Sequence, residues 1–323
     1  MKNLGKPESS SDVVNKEPKV LLIGYGWVGQ YMGKYFKNAH YVGSDGIVRK
    51  QDGETIVLNT NLIGLEHLPH YDLAIIGVPT PMNPETGQCD VSIVEKSVEK
   101  YRKNVDYFLI KSTVEIGTTD RLANYYQVKI AMSPEYVGET LGHPLLEPRR
   151  DAFQIIGGDE ETCNAIAGFF SLVLHANAPI HLCTAMEAEI IKYCENLWIM
   201  QRVDYWNDVY DIANTFKSSF NRIREGLVLD PRLGRTHSFV YPNNRGWSGK
   251  CLPKDMNALA YRMRQMRKAL PIVEHQIEKN ANKWRKGYDN KEQLIPKNPI
   301  WQKFIIRTGF EGIGFSGNRG LDK

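Results

Sequence analysis

Four apolar residues, Val20-Leu-Leu-Ile23, run from Lys19 straight into Gly24-Tyr-Gly26-Trp-Val28-Gly29, and an amphipathic stretch follows to about residue 37. Few local patterns restrict a fold so tightly. The apolar run suits a strand buried on both faces of a parallel sheet. The glycine spacing then asks for a turn whose first glycine takes the tight bend and whose second lets backbone approach a pyrophosphate. The third lets the following helix pack closely on the strand, and Val28 lies within the same turn. The free N–H groups of a helix starting there favour an anion. A second strand over about 40–44 leads to Asp45, about 20 residues past the first glycine. A carboxylate in that place accepts hydrogen bonds from a ribose and repels a 2′-phosphate. NAD is therefore expected over NADP, with Arg49 and Lys50 tempering the preference.

The same alternation continues. Residues 72–78 form an apolar strand stopped by Pro79-Thr80-Pro81, 91–103 carry a helical apolar stripe, and 106–110 form a strand ending in Lys111-Ser112-Thr113. Further strands are expected over 128–132, before Ser133-Pro134-Glu135, and over 153–157, with a helix over 159–174. This predicts an α/β fold whose N-terminal part is a doubly wound sheet of Rossmann type. Ligands in such sheets bind beyond the carboxyl ends of strands. Gly24, Thr80 and Thr113 all fall at such ends and read as a cofactor rim. Glu139 lies four residues past Glu135, so the two carboxylates share a face if that segment is helical.

From 184 to 216 there is neither Gly nor Pro, and Tyr193, Trp198, Tyr205, Trp206 and Tyr210 make the stretch strongly aromatic. A helix of that length exceeds the usual globular range. It reads as a spine between domains and as a dimer surface, since aromatic residues are enriched at interfaces. Glu189, Lys192 and Asn196 stand on one face of it. Further on, Asp230-Pro-Arg232 marks a turn. Then comes Arg245-Gly-Trp-Ser-Gly249-Lys-Cys251-Leu-Pro-Lys-Asp255. This Gly-rich loop delivers a cysteine just before a helix start expected at Pro253. A thiol there, flanked by Lys250 and Lys254, sits in a positive field that favours the nucleophilic thiolate. A last helix is expected over 270–284.

Composition removes several classes. At 323 residues the chain has room for two domains. Its net charge of +4 is mild and the basic residues are dispersed, which argues against nucleic acid. The five cysteines, Cys89, Cys163, Cys183, Cys194 and Cys251, are widely spaced with no C-x-x-C pair. That argues against a disulfide framework or a metal site and for a reducing, cytoplasmic setting. No apolar run approaches the ~20 residues of a membrane span. Residues 1–18 are polar, lack the apolar core of a secretory signal, and are expected to be a disordered lead-in.

Taken together, Gly24-Tyr-Gly26-Trp-Val-Gly29, Lys111-Ser-Thr-Val114, Ser133-Pro-Glu-Tyr-Val-Gly-Glu139, Glu189-Ile-Ile-Lys192-Tyr-Cys-Glu-Asn196, Asp230-Pro-Arg232 and Gly249-Lys-Cys251-Leu-Pro-Lys-Asp255 resemble the UDP-glucose/GDP-mannose dehydrogenase family, the nucleotide-sugar 6-dehydrogenases. The resemblance runs from about residue 19 to about 284. It implies NAD-dependent oxidation of a sugar primary alcohol to a carboxylate, through a thiohemiacetal and a thioester. Cys251 matches the family's nucleophile. Lys192, Asn196 and Asp255 match the cluster around the reacting oxygen. Glu139 matches the glutamate tied to thioester hydrolysis, and Glu135 and Thr113 match residues that handle water. Gly24, Gly26, Val28, Gly29, Asp45, Thr80 and Thr113 match the cofactor contacts. Glu135, Glu139, Lys192, Asn196, Arg232 and Gly249 match the substrate contacts, Arg232 across a dimer. The long helix matches the family's dimerisation helix. The implied division is a NAD-binding domain over 19–183, a helical dimerisation domain with the cysteine loop over 184–285, and a tail over 286–323. Ser248 and Arg245 depart from the family loop. The tail is shorter than the family's second α/β domain, so the chain reads as a short form lacking the nucleotide-covering domain. Alternatives therefore stay open: the same chemistry on a smaller or phospho-sugar substrate, or a non-catalytic NAD-binding subunit paired with a full-length enzyme.

Overall fold

The computed structural model describes residues 17–136, 153–249, 251–286 and 296–297. Glu139, Lys250 and nearly all of the lead-in and tail lie outside them. The chain divides into two compact units. One comprises Met1–Pro79, Ser92–Ser112 and Gly117–Glu189; the other comprises Thr80–Val91, Thr113–Ile116 and Ile190–Lys323.

The first unit is built on one nine-stranded sheet, in the order β4-β3-β2-β1-β5-β6-β7-β8-β9. Its strands are β1 (Val20–Ile23), β2 (His40–Val42), β3 (Ile47–Lys50), β4 (Ile56–Asn59), β5 (Tyr71–Ile76), β6 (Val105–Ile110), β7 (Lys129–Met132), β8 (Gln154–Gly157) and β9 (Ile180–Cys183). β2, β1, β5, β6 and β7 are mutually parallel. The apolar runs follow from that: a parallel sheet is covered on both faces, so Val20, Leu21, Leu22 and Ile23 are all buried. One face carries α1 (Trp27–Tyr35) and α4 (Glu160–Ser171). Tyr31, Met32 and Tyr35 of α1 and Cys163, Ile166 and Phe170 of α4 pack there on Val20, Leu22, Leu73, Ile75 and Leu109. α2 (Ser92–Tyr101) and α3 (Thr118–Tyr126) pack on each other, on β6 and on β7.

The sheet carries more than the sequence reading assigned. Residues 46–68, left without an element, hold the antiparallel hairpin β3–β4 on the edge beyond β2. Its turn is Asp52-Gly53: Gly53 takes φ +80°, and Asp52 Oδ1 accepts from the N–H groups of Glu54 and Thr55 at 3.0 and 2.8 Å. An Asp-Gly pair between β-branched runs is a hairpin signal visible in sequence. At the other edge β8 pairs antiparallel with β7, and β9 adds in parallel.

The second unit is helical. The long helix α5 (Ala185–Thr215) spans 31 residues, and the division between units falls within it, after Glu189. α6 (Phe220–Leu227), α7 (Leu252–Gln265) and α8 (Pro271–Lys279) follow. Tyr193 and Met200 of α5, Trp247, Met256 and Leu259 with Val273 and Ile277 of α8 form one buried cluster. Trp206, Val209 and Ala213 with Phe220 form another. The expected helix over 270–284 ends at Lys279 and passes into a single π turn over Asn280–Trp284. The cause is local: Asn280 is buried and spends its amide on the backbone of Trp247. Such turns occur where a helix gives up regularity to place a side chain.

Candidate active site

The dinucleotide turn lies in the first unit at the end of β1. Gly24 takes φ +88°, and a Cβ on it would lie 2.6 Å from the carbonyl oxygen of Gly77, at the end of the neighbouring β5. A Cβ on Gly29 would lie 2.1 Å from the carbonyl oxygen of Gly24. Only glycine permits either approach. Gly26 behaves differently: nothing stands within 4 Å of where its Cβ would be. Gly26 also opens α1, with no side-chain cap and no acid in the first turn. Uncapped N–H groups beside open space are what an anionic pyrophosphate requires, so the residues present fit the group. Val28 closes the back of the turn, since a Cβ on Gly77 would stand 3.2 Å from one of its methyl groups. β1 is also the strand from which the chain order reverses, toward β2 on one side and β5 on the other. Ligands of open α/β sheets bind at such a switch point. Asp45 follows β2 and pairs with Arg49 at 2.7 Å while accepting from Ile47 N–H at 3.1 Å. Arg49, beside it, holds that carboxyl below the usual aspartate range.

Glu135 follows β7 in the same unit, with Oε1 accepting from Tyr136 N–H at 2.9 Å and Oε2 3.7 Å from Lys111 Nζ. Lys111 is buried and donates to Ser133 Oγ and Gln154 Oε1, each at 2.9 Å. Glu189, grouped by helical spacing with Lys192 and Asn196, does other work. It is buried and accepts from Gly117 N–H at 2.5 Å and from Thr119 N–H and Oγ1–H at 2.8 and 2.7 Å. It thereby satisfies the free donors at the start of α3.

The second unit holds the remaining residues. Cys251 is exposed and occupies the N-cap position of α7; Leu252 is the first helical residue, so Pro253 is second rather than first. One turn on, Asp255 is 1% exposed and accepts from Asn196 Nδ2 of α5 at 2.6 Å. It also pairs with Lys254. Burial works against the charge of Lys254, yet Asp255 outweighs it and holds the ammonium above the ordinary lysine range. Lys192, on the same helix as Asn196, is mostly buried and 3.7 Å from Glu195. Thr80 and Thr113 also belong here: Thr80 Oγ1 donates to the Thr113 carbonyl at 2.7 Å, and the thiol of Cys89 reaches the same carbonyl at 3.6 Å. Burial pushes that Cys89 thiol up, partly offset by Lys254. Gly249 takes φ +89° with open space around it. Arg232 stands apart, 87% exposed, its guanidinium folded onto Asp230 at 2.6 Å. The structure thus joins Asn196 to Asp255 and Thr80 to Thr113. Two contributors beyond the assigned set, Lys254 and Cys89, are brought in by folding. Lys254 was visible as a flank of the cysteine, whereas nothing near Cys89 in sequence marks it.

A largely parallel sheet with an uncapped glycine turn at its switch point defines a dinucleotide-binding fold. Comparison with known proteins narrows the class. Residues 42–170 match the NAD binding domain, and residues 186–282 the central domain, of the UDP-glucose/GDP-mannose dehydrogenase family. The chain belongs to the UDP-glucose/GDP-mannose dehydrogenase family, and its cofactor is NAD. It is 24% identical over 304 residues to the UDP-glucose 6-dehydrogenase of Rhizobium meliloti, covering 83% of this chain and 68% of that one. It is 26% identical over 220 residues to the UDP-glucose 6-dehydrogenase TuaD of Bacillus subtilis, covering 65% of this chain and 46% of that one. Against several curated relatives the chain thus spans less than half of their length. In fold it is similar to a UDP-glucose dehydrogenase from the archaeon Pyrobaculum islandicum, with a TM-score of 0.66 at 23% identity over 82% of this chain and 68% of that one. Among the described residues no helix is long and apolar enough to cross a membrane.

Proposed function

We propose that this chain oxidises a primary alcohol of a nucleotide sugar to the carboxylate, with Cys251 as the nucleophile of the second half. The observation that carries this reading is the buried Asn196–Asp255–Lys254 cluster in the first turn of α7, the helix that Cys251 opens. Bound NAD supplies the acceptor for the hydride that leaves the carbon at each of the two oxidations. The chain's residues do the rest. Lys192 offers a cation to the oxygen as its proton passes to a water held by Thr113 and Glu135, and Asn196, oriented by Asp255, offers an amide hydrogen to the same oxygen. The Cys251 thiolate adds to the aldehyde carbon, so that carbon can give up a second hydride and become a thioester. Thr113, Glu135 and Glu139 are assigned to water: holding it, and deprotonating it for attack on the thioester. Release of the acid restores the thiol. Gly249 and Arg232 are assigned to substrate binding.

A homodimer through α5 belongs to the same proposal. Ile190, Trp198, Tyr205 and Ile212 are all exposed and recur at intervals of about seven residues, which places them along one side of the helix. A stripe of that kind is suited to a second copy of itself. Arg232, exposed beside Asp230 on the surface of one protomer, would then act on the substrate of its partner.

The test is NADH formation from NAD with UDP-glucose, UDP-N-acetylglucosamine, GDP-mannose and the corresponding sugar phosphates, wild type beside Cys251→Ala. NADH appearing twice per sugar, and lost in the variant, supports the full oxidation. Turnover confined to sugar phosphates would move the substrate to the smaller class. No turnover, with NAD still bound, would sink the catalytic reading and favour a subunit that pairs with a longer enzyme.

A further inference from the structure

The loop that delivers Cys251 is gripped along residues 245–247 by side chains outside the set assigned to the reaction. Asn207 of α5 accepts from Arg245 Nε at 2.6 Å and from Gly246 N–H at 3.2 Å, and Asp211 accepts from Arg245 at 2.7 Å. Asn280, in the π turn, accepts from Trp247 N–H and donates to the Trp247 carbonyl, both at 2.9 Å. Gly246 takes φ +73°, where a Cβ would stand 2.2 Å from Asn280 Oδ1, so backbone and amide meet with no room between them. The remaining hold is on a side chain. Asp204 of α5 accepts from the indole Nε1–H of Trp247 at 2.9 Å, and each of the two residues is only 2% exposed.

We propose that Asp204, acting through the Trp247 indole, is a positioning residue for Cys251. The proposal rests on Cys251 being the nucleophile. The argument is one of desolvation. An indole N–H buried without an acceptor is costly, so Asp204 adds to the hold that Asn280 has on Trp247, and its loss loosens the ring. Four residues further along the chain stands Cys251, at the N-cap of α7. A thiol is at its most reactive while it remains at a helix N-terminus. If Trp247 swings out, the loop is released at the end that leads to the thiol.

The chemistry of Asp204 supports the assignment. Asp204 is buried, and the side chain of Gln276 hydrogen-bonds its carboxyl in the sense that favours the charged form. The groups facing Asp204 are Lys279 and Gln276 from α8, Asp208 from α5 and the indole of the loop. Lys279 is itself held by Asp208 at 2.6 Å. Burial pushes the carboxyl up to about 7 against the pull of Lys279.

The experiment is alkylation of Cys251 by iodoacetamide in the full chain, followed on its own peptide by mass spectrometry, with glutathione in the same tube as reference thiol. Asp204→Ala, folded by circular dichroism, is expected to slow the Cys251 rate at least threefold at pH 7.5, and adding Trp247→Phe to it, which removes the unpaired N–H, to recover part of that loss. Asp204→Asn keeps an acceptor oxygen for the indole, so it stays near the wild-type rate. In turnover, Asp204→Ala lowers kcat while KM for NAD holds. Alkylation at the wild-type rate in Asp204→Ala would overturn the proposal, as would an equal loss in Asp204→Asn. Absence of turnover in the wild type would sink the reading of function alone, because the alkylation arm does not depend on it.

Discussion

At the scale of single residues, the chain concentrates its constraints where backbone or charge has no alternative. Gly24→Ala would force a Cβ into the Gly77 carbonyl and strain a φ of +88°, so a loss of at least about 2 kcal/mol of stability is expected together with loss of NAD binding, read by calorimetry. Asn196→Ala would leave the buried Asp255 oxygen without the donor it holds at 2.6 Å. A cost of about 1–3 kcal/mol in chemical denaturation follows, with kcat falling further than KM changes. Asp204 makes a prediction of opposite sign. Its folded pKa, about 7, lies above the ordinary aspartate value. The folded state therefore holds a proton that the unfolded state has lost between about pH 4 and 7, and the stability that proton confers declines as pH rises through that window. Asp204→Asn removes the decline. Urea unfolding should find the variant gaining on wild type from pH 4 to 7, by on the order of a few kcal/mol, and level above about 7.

At the scale of elements, the long helix and the parallel strands were legible because their signals are local. No Gly or Pro interrupts 184–216, and the helix observed is Ala185–Thr215. The hairpin β3–β4 was also written locally, in Asp52-Gly53 between two β-branched runs, but its strands have four residues each and give little periodicity to read. β9 was harder: it is short and only partly buried, and it becomes a strand because β8 offers it an edge. Two predictions belong here. Phe170 is fully buried between α4 and the sheet, against Phe36 and Tyr35, so Phe170→Ala should cost about 3–5 kcal/mol in thermal or chemical unfolding. Trp198→Glu, on the exposed side of α5, should leave the fold intact and shift sedimentation from dimer toward monomer. An unchanged sedimentation coefficient would count against α5 as the interface.

At the scale of the whole molecule, ligand binding is the property that integrates the rest. If the glycine turn holds NAD as its geometry allows, NAD at a hundredfold its Kd should stabilise the chain by about 2.7 kcal/mol, seen as a rise in Tm. Sequence by itself determined the glycine turn, the parallel strands that bracket it, the cysteine at the head of α7 and which groups to propose as reacting, because each is carried by a residue type at fixed spacing. It could not determine which of those groups meet. Glu189, Lys192 and Asn196 share a helix face by periodicity, yet Glu189 turns to the start of α3 while Asn196 turns to Asp255, 59 residues away in sequence. Nor could it mark Asp204, which in sequence is one more acid on a long helix. Only burial against Trp247, and the desolvation that comes with it, makes that carboxyl different from Asp208 one turn later. Spacing along the chain is a one-dimensional quantity, and it predicts what a residue can do. Desolvation and hydrogen-bond satisfaction depend on neighbours brought together from distant parts of the sequence, and those the tertiary structure alone decided.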